Sequence, residues 1–204
     1  MRLLFLAIAT CSALLAQDQD LVSPADPANS TTTQPYIPLT LSQNYAWTVR
    51  QIFDPGRLFL ISARAAIDHS DNDPSGWGQG AEGYAVRVAS RLGVAAVREN
   101  IAFGIRAFDH EDPRYVRSPS AGVWSRARYA VSRTFVARNE QGGAMPAYSV
   151  LASSFATPFV AEAWRPEPVR GGRVLRSGAM GIGIEAAANV GREFWPDIRR
   201  RILH

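Results

Sequence analysis

Two stretches of the chain place an imidazole among carboxylates. Arg64-Ala65-Ala66-Ile67-Asp68-His69 runs into Asp71 and Asp73, and Arg106-Ala107-Phe108-Asp109-His110 runs into Glu111 and Asp112. Histidine beside several carboxylate oxygens on a turn is the material of an oxygen-rich divalent-metal site or of an acid–base pair. If the two turns met, His69, Asp71, Asp73, His110, Glu111 and Asp112 would be the metal ligands, and the bound cation would activate water in a metal-dependent hydrolase. The same residues have a structural reading. A histidine at a helix C-terminus meets the negative end of the helix dipole, and Asp next to Pro is ordinary turn chemistry. The spacing matches no HExxH element, and residues 68–74 lack the glycine and distal glutamate of an EF-hand loop.

Other chemistries find less support. Gly78-Gln79-Gly80 contains G-x-G without the third glycine of a phosphate-binding turn, and no G-x-S-x-G element occurs. Cys11 is the sole cysteine and lies in the expected leader, which removes disulfides, thiolate nucleophiles and Cys-based zinc sites from the mature chain. No catalytic residue is assigned and no cofactor is expected, the alternative being one divalent metal ion. Glu82, Glu99 and Glu185 sit on largely apolar helical segments, where a half-buried carboxyl serves either as a general acid or as a partner for arginine.

All 22 basic residues are arginine. Arginine keeps its charge at every relevant pH and forks onto carboxylates and phosphates, so it tolerates half-buried positions better than lysine. A net charge of +4, or +3 once Arg2 is removed, is too mild to argue for nucleic acid. Locally, Arg114, Arg117, Arg126, Arg128, Arg133 and Arg138 lie between Pro113 and Asn139 with no acid among them. Such a run either faces an anionic membrane surface or an acidic envelope protein, or pairs with acids elsewhere in the fold.

The elements that must position these groups are mainly helical. Residues 1–16 have the layout of a secretory signal peptide, with Arg2, an apolar stretch and Ala16 before a polar switch. Residues 17–38, rich in Pro, Ser and Thr, read as a disordered tether. Residues 39–204 then form one helical domain, a bundle of about five to seven helices with one short β-hairpin near residues 134–148. Thr40 or Ser42 caps a first helix, and Asp54-Pro55 restarts a second. Trp77 to Phe108 is a long helical segment that Gly93 interrupts, and Gly122 to Phe135 is another. Tyr148–Phe155 and Val174–Val190 follow, with Pro158, Pro166 and Pro168 as breaks around Trp164, and Phe194-Trp195-Pro196 leads into the arginine-rich end. Trp47, Tyr84, Phe103, Phe108, Trp124 and Trp195 are expected in or beside the core. Ala179, Gly183, Ala187 and Gly191 share a helix face on which another backbone can approach, inside a buried helix or in a membrane assembly. Arg176, Glu185 and Asn189 interrupt that stretch too soon for a membrane span.

Four stretches, taken in order behind the leader, resemble a group of uncharacterised exported proteins of acidobacteria. They are Trp77-Gly78-Gln79-Gly80-Ala81-Glu82-Gly83-Tyr84, His110-Glu111-Asp112-Pro113-Arg114-Tyr115, Ser132-Arg133-Thr134-Phe135-Val136, and Asn189 through Glu193-Phe194-Trp195-Pro196-Asp197-Ile198-Arg199. The resemblance implies a cell-envelope setting and no particular reaction. With the incomplete catalytic sets, it leads to the expectation of a non-enzymatic exported protein, periplasmic or outer-membrane associated. That protein would act by binding or packing at a membrane surface or protein partner through its arginine-bearing faces.

Overall fold

The computed structural model describes residues 37–168 and 170–202, apart from the side chain of Ile202. The expected leader and all but the last two residues of the expected tether lie outside the described residues.

Six α-helices and a three-stranded sheet make up the described fold: α1 Leu41–Ile52, α2 Pro55–Ser70, α3 Gly80–Asp109, β1 Glu111–Asp112, α4 Val123–Ser132, β2 Val136–Asn139, β3 Ala144–Pro146, α5 Tyr148–Ala161 and α6 Gly171–Ile202. The helix starts follow from local chemistry. Thr40 accepts from the Gln43 backbone while the Gln43 side chain accepts from the Thr40 backbone, a complete capping box. Asp54 caps α2 by accepting from the Arg57 backbone at 2.8 Å, with Pro55 at the first helical position.

The 30-residue α3 is about 45 Å long at 1.5 Å per residue and is the spine of the bundle. It packs against α1, α2 and α5, while α6 packs against α4 and α5. The expected break at Gly93 does not occur, because a helical glycine costs only about 1 kcal/mol and α3 is packed on several sides. Pro158 and Pro196 likewise lie inside α5 and α6 rather than ending them. Each removes one backbone donor, at a cost of about 3 kcal/mol, and contacts along the flanking turns hold the helix together. The expected hairpin is present as β2 and β3, with Val136 opposite Pro146 and Arg138 opposite Ala144. The acid-rich turn adds β1 to its other edge, antiparallel to β2, with Glu111 opposite Asn139.

The helices are polar inside and apolar outside. The buried apolar side chains are Ile52 and six alanines, and the largest fully buried side chains include Arg87, Glu193, Thr48 and Thr134. On α5, Ser149, Ser153, Ser154 and Thr157 point inward, while Tyr148, Phe155, Phe159 and Val160 are exposed. On α2, Asp68 is buried and Phe59, Leu60 and Ile67 are exposed. On α6, Asn189 and Glu193 are buried and Leu175, Met180 and Ile184 are exposed. Phe108 and Trp124, expected near the core, are 88% and 81% exposed. Among the described residues no other backbone lies on the stripe of Ala179, Gly183, Ala187 and Gly191: a Cβ at Gly183 or Gly191 would meet nothing within 4 Å. The close approach is on another face, where a Cβ at Gly178 would lie 2.4 Å from the Phe155 ring.

Arg87 shows how a polar interior is kept satisfied. It is 1% exposed. Its Nε donates to the Asp73 carbonyl at 3.1 Å, Nη1 to the carbonyls of Gly78 at 2.8 Å and Gly83 at 3.0 Å, and Nη2 to that of Pro74 at 2.9 Å. These bonds fold residues 73–83 around one guanidinium and dock that turn on α3. Gly83 must lack a side chain, since a Cβ there would stand 2.5 Å from the Gly78 carbonyl oxygen. Lysine offers three donors from one point and cannot span these acceptors. Arg87→Lys is therefore expected to lower unfolding free energy by about 3 kcal/mol, as two or more buried carbonyls lose their donors. Arg64→Lys, an exposed side chain whose buried partner Asp68 also keeps Arg91, is expected to change it by less than about 1 kcal/mol. Urea unfolding of both variants checks the pair.

Candidate functional site

Where α1, α2, α3, α5 and α6 converge with the hairpin, a cavity of about 100 Å³ is lined by charged groups. Helical spacing delivers them: Arg98, Ala102 and Arg106 succeed one another every four residues along α3, and Glu185, Asn189 and Arg192 share one face of α6. Arg57 enters from α2 and pairs with Glu99 at 2.7 Å. Glu185 pairs with both Arg98 at 3.3 Å and Arg192 at 2.9 Å. Burial raises the Glu185 carboxyl, but Arg192 and Arg98 more than offset this and hold it below the usual glutamate range. Arg192 also donates to Asn189 Oδ1 at 2.7 Å, and Asn189 donates to Thr134 Oγ1 at 3.2 Å.

Two arginines on the wall stand apart. Arg106 is buried and donates to Asn44 Oδ1 at 3.3 Å and Thr48 Oγ1 at 3.0 Å, both neutral acceptors, with its guanidinium 5.1 Å from the Trp47 ring centre. Burial pushes its pKa down, against the field of Glu99 and Glu111. The Nε of Arg133 is buried without a hydrogen-bond partner. Glu111 lies on the same wall and accepts from Ser149 twice, from the backbone N–H at 3.0 Å and from Oγ at 2.6 Å.

A second buried cluster lies beside it. Glu193 is 0% exposed and accepts from Arg126 Nε at 2.7 Å, Tyr115 Oη at 3.0 Å and the Ser118 backbone at 3.0 Å. Arg126 continues to Asp197 at 2.7 Å, and its guanidinium lies 4.6 Å from the Phe194 ring centre. Arg117 donates to the Glu193 carbonyl at 3.2 Å. Burial, reinforced by the bond to Glu193, pushes the Tyr115 hydroxyl pKa upward.

The structure does not bring the two Asp-His turns together. His69 meets α3 at Arg87, about two turns from its start, whereas His110 follows its last residue. Twenty-three residues of helix separate these points, about 34 Å at 1.5 Å per residue. Their side chains are also engaged. Arg87 can only donate, so Nδ1 of His69, at 3.2 Å, accepts from it. His110 pairs with Glu140 at 2.9 Å, Glu111 with Ser149, and Asp112 with Arg114 at 2.6 Å. Asp71 and Asp73 are exposed on the first turn, with Arg165 3.9 Å from Asp73. Among the described residues no group of three or more His, Cys, Asp or Glu is placed to hold a metal.

The acid-free arginine run is turned largely toward acids: Arg114 to Asp112, Arg117 and Arg126 to Asp197, and Arg126 also to Glu193. Arg128 is exposed, and Arg133 reaches the cavity. Sequence reasoning anticipated arginine partners for Glu99 and Glu185, while Glu82 is exposed. It missed the convergence of Arg57, Arg106, Arg133 and Arg192, for which no local spacing signal exists. Comparison with family models, curated proteins and solved structures returned no match to this chain.

Two outcomes follow. Burial is the largest influence on Glu111 and raises its carboxyl above the ordinary 4.5, against the two bonds from Ser149. Such a group favours the fold below its unfolded pKa, and that contribution is lost as pH rises through the folded pKa. Glu111→Gln, whose amide still pairs with the Ser149 N–H and hydroxyl, should remove this loss. Its stability relative to wild type is expected to increase as pH rises above about 4.5, read from denaturant midpoints across pH. Glu193→Gln leaves Arg126 with only the half-exposed Asp197 as countercharge and weakens the bonds from Tyr115 and Ser118, and should cost about 1.5–3 kcal/mol, measured by urea unfolding at neutral pH.

Proposed function

We propose that this chain is a non-enzymatic helical protein of the cell envelope that binds an anionic membrane surface. The observation that carries this reading is the inverted polarity of α2, α5 and α6, which direct Phe59, Leu60, Ile67, Phe159, Met180 and Ile184 outward over a polar interior. Apolar surface repeated over several elements marks an interaction face, because water penalises it by about 25 cal/mol per Å². Surface charge favours anionic lipid as the occupant. Among the described residues Arg50, Arg64, Arg128, Arg170, Arg176 and the triplet 199–201 are exposed, against the acids Asp71, Asp73 and Glu82, all of which lie between residues 71 and 82.

This differs from the arginine-run version of surface binding. Arg114, Arg117 and Arg126 spend their charge on carboxylates, so the membrane contact is assigned to apolar faces flanked by other arginines. The binding is peripheral: among the described residues no helix is long and apolar enough to cross a membrane. The leader-like residues 1–16 support placing the protein outside the cytosol, on the periplasmic or outer-membrane side.

Flotation of the purified chain with vesicles tests the reading. Binding to phosphatidylglycerol vesicles is expected to exceed binding to phosphatidylcholine and to weaken with salt. Phe159→Glu with Ile67→Glu should abolish flotation, and neutralising Arg199, Arg200 and Arg201 together should weaken it roughly a hundredfold, at about 1 kcal/mol per arginine. A lipid-free dimer that covers these faces and ignores both vesicle types would overturn the proposal in favour of self-association.

A further inference from the structure

We propose that the central cavity is a binding site for one small tetrahedral dianion, inorganic phosphate. The inference concerns the interior and stands independently of the membrane reading.

The argument begins with charge. Six guanidiniums border the cavity, from Arg57, Arg98, Arg106, Arg114, Arg133 and Arg192. Four carboxyls face them, from Glu99, Glu111, Asp112 and Glu185, an excess of two positive charges when all are ionised. The close pairs consume Glu99 on Arg57 and Asp112 on Arg114, and Glu185 is shared between Arg98 and Arg192. Glu111 is held by Ser149. Arg106 therefore has only neutral hydrogen-bond acceptors, and Arg133 keeps a buried Nε with no acceptor. A guanidinium cannot shed its proton to escape burial, so such a wall calls for a counter-anion.

Size and hydrogen bonding narrow the class. About 100 Å³ has room for one tetrahedral oxyanion together with ordered water. Guanidinium forks match phosphate oxygens in pairs, and several converging from α2, α3, the hairpin approach and α6 can surround a tetrahedral ion. The wall also carries acceptors. Hydrogen phosphate bears one O–H that can donate to the Glu185 or Glu111 carboxylate, whereas sulfate has none and would leave two sets of acceptor oxygens facing each other. A second cavity of about 230 Å³ shares Arg106, Glu111, Asp112 and Pro113 with the first and extends past exposed His110, an approach from the surface.

Isothermal titration of the full chain with sodium phosphate in a chloride buffer tests the site. One phosphate per chain is expected with a sub-millimolar Kd, sulfate at least tenfold weaker, and at least a tenfold loss in both Arg106→Gln and Arg133→Gln. Arg133 is only half-buried, so its variant reads the site even where Arg106→Gln fails a circular-dichroism check of folding. Vesicle flotation should be unaffected by these variants and by phosphate, which separates the interior site from the outer face. No saturable binding at millimolar phosphate, equal binding of sulfate, or undiminished binding by a folded Arg133→Gln would each overturn the assignment.

Discussion

A guanidinium brought out of water keeps its charge, and every N–H it carries needs an acceptor. That constraint organises this protein. Arg87 recruits four backbone carbonyls and so shapes residues 73–83. Arg126 and Glu193 tie α4 to α6, Arg57 and Glu99 tie α2 to α3, and Arg98 ties α3 to α6 through Glu185. Arg173 takes both oxygens of Glu162 at 2.9 and 2.8 Å and closes the connection from α5 to α6. In a domain whose buried apolar side chains are mostly alanines, these bonds specify which helix meets which. Buried ion pairs of this kind add less net stability than their geometry suggests, yet removing one partner is costly. They act as register pins.

The outer surface is the counterpart. A helix that spends hydroxyls, amides and carboxylates on the interior is left with apolar side chains, interspersed with arginine, to present outward. α5 is the clearest case, with hydroxyls at 149, 153, 154 and 157 facing in and aromatics at 148 and 159 facing out. Local hydrogen bonding inside and apolar contact outside are therefore two consequences of one pattern, and the proposed membrane contact and the charged cavity belong to the same design.

Much of the secondary structure was legible from residues 39 onward. The Thr40 capping box, the Asp54-Pro55 restart and the Asn139–Gly143 turn are decided by neighbouring side chains and backbone, so spacing alone finds them. Pro158 misled, because a local rule that forbids proline in a helix interior is outweighed by packing along a longer segment, whereas Pro166 and Pro168 do lie between helices. Phe108 and Trp124 misled for the converse reason: an aromatic side chain signals burial only when the interior is apolar. The four stretches that carried the resemblance turn out to supply much of the buried network. They contribute the Gly78 and Gly83 carbonyls to Arg87, Glu111 to Ser149, Tyr115 to Glu193 and Thr134 to Asn189.

By itself the sequence determined the helical class, the caps, the hairpin, the charge carried entirely by arginine and the lack of a complete catalytic motif. These depend on composition and on residues within a few positions of one another. Only the tertiary structure decided which way each helix faces and which arginine meets which acid. An amphipathic stripe is equally amphipathic whether its polar side turns inward or outward, and periodicity cannot distinguish the two. The separation of His69 from His110 and the convergence of Arg57, Arg106, Arg133 and Arg192 on one cavity were decided at the same level. Both are set by how a 30-residue helix spans the bundle, a distance that no local spacing encodes.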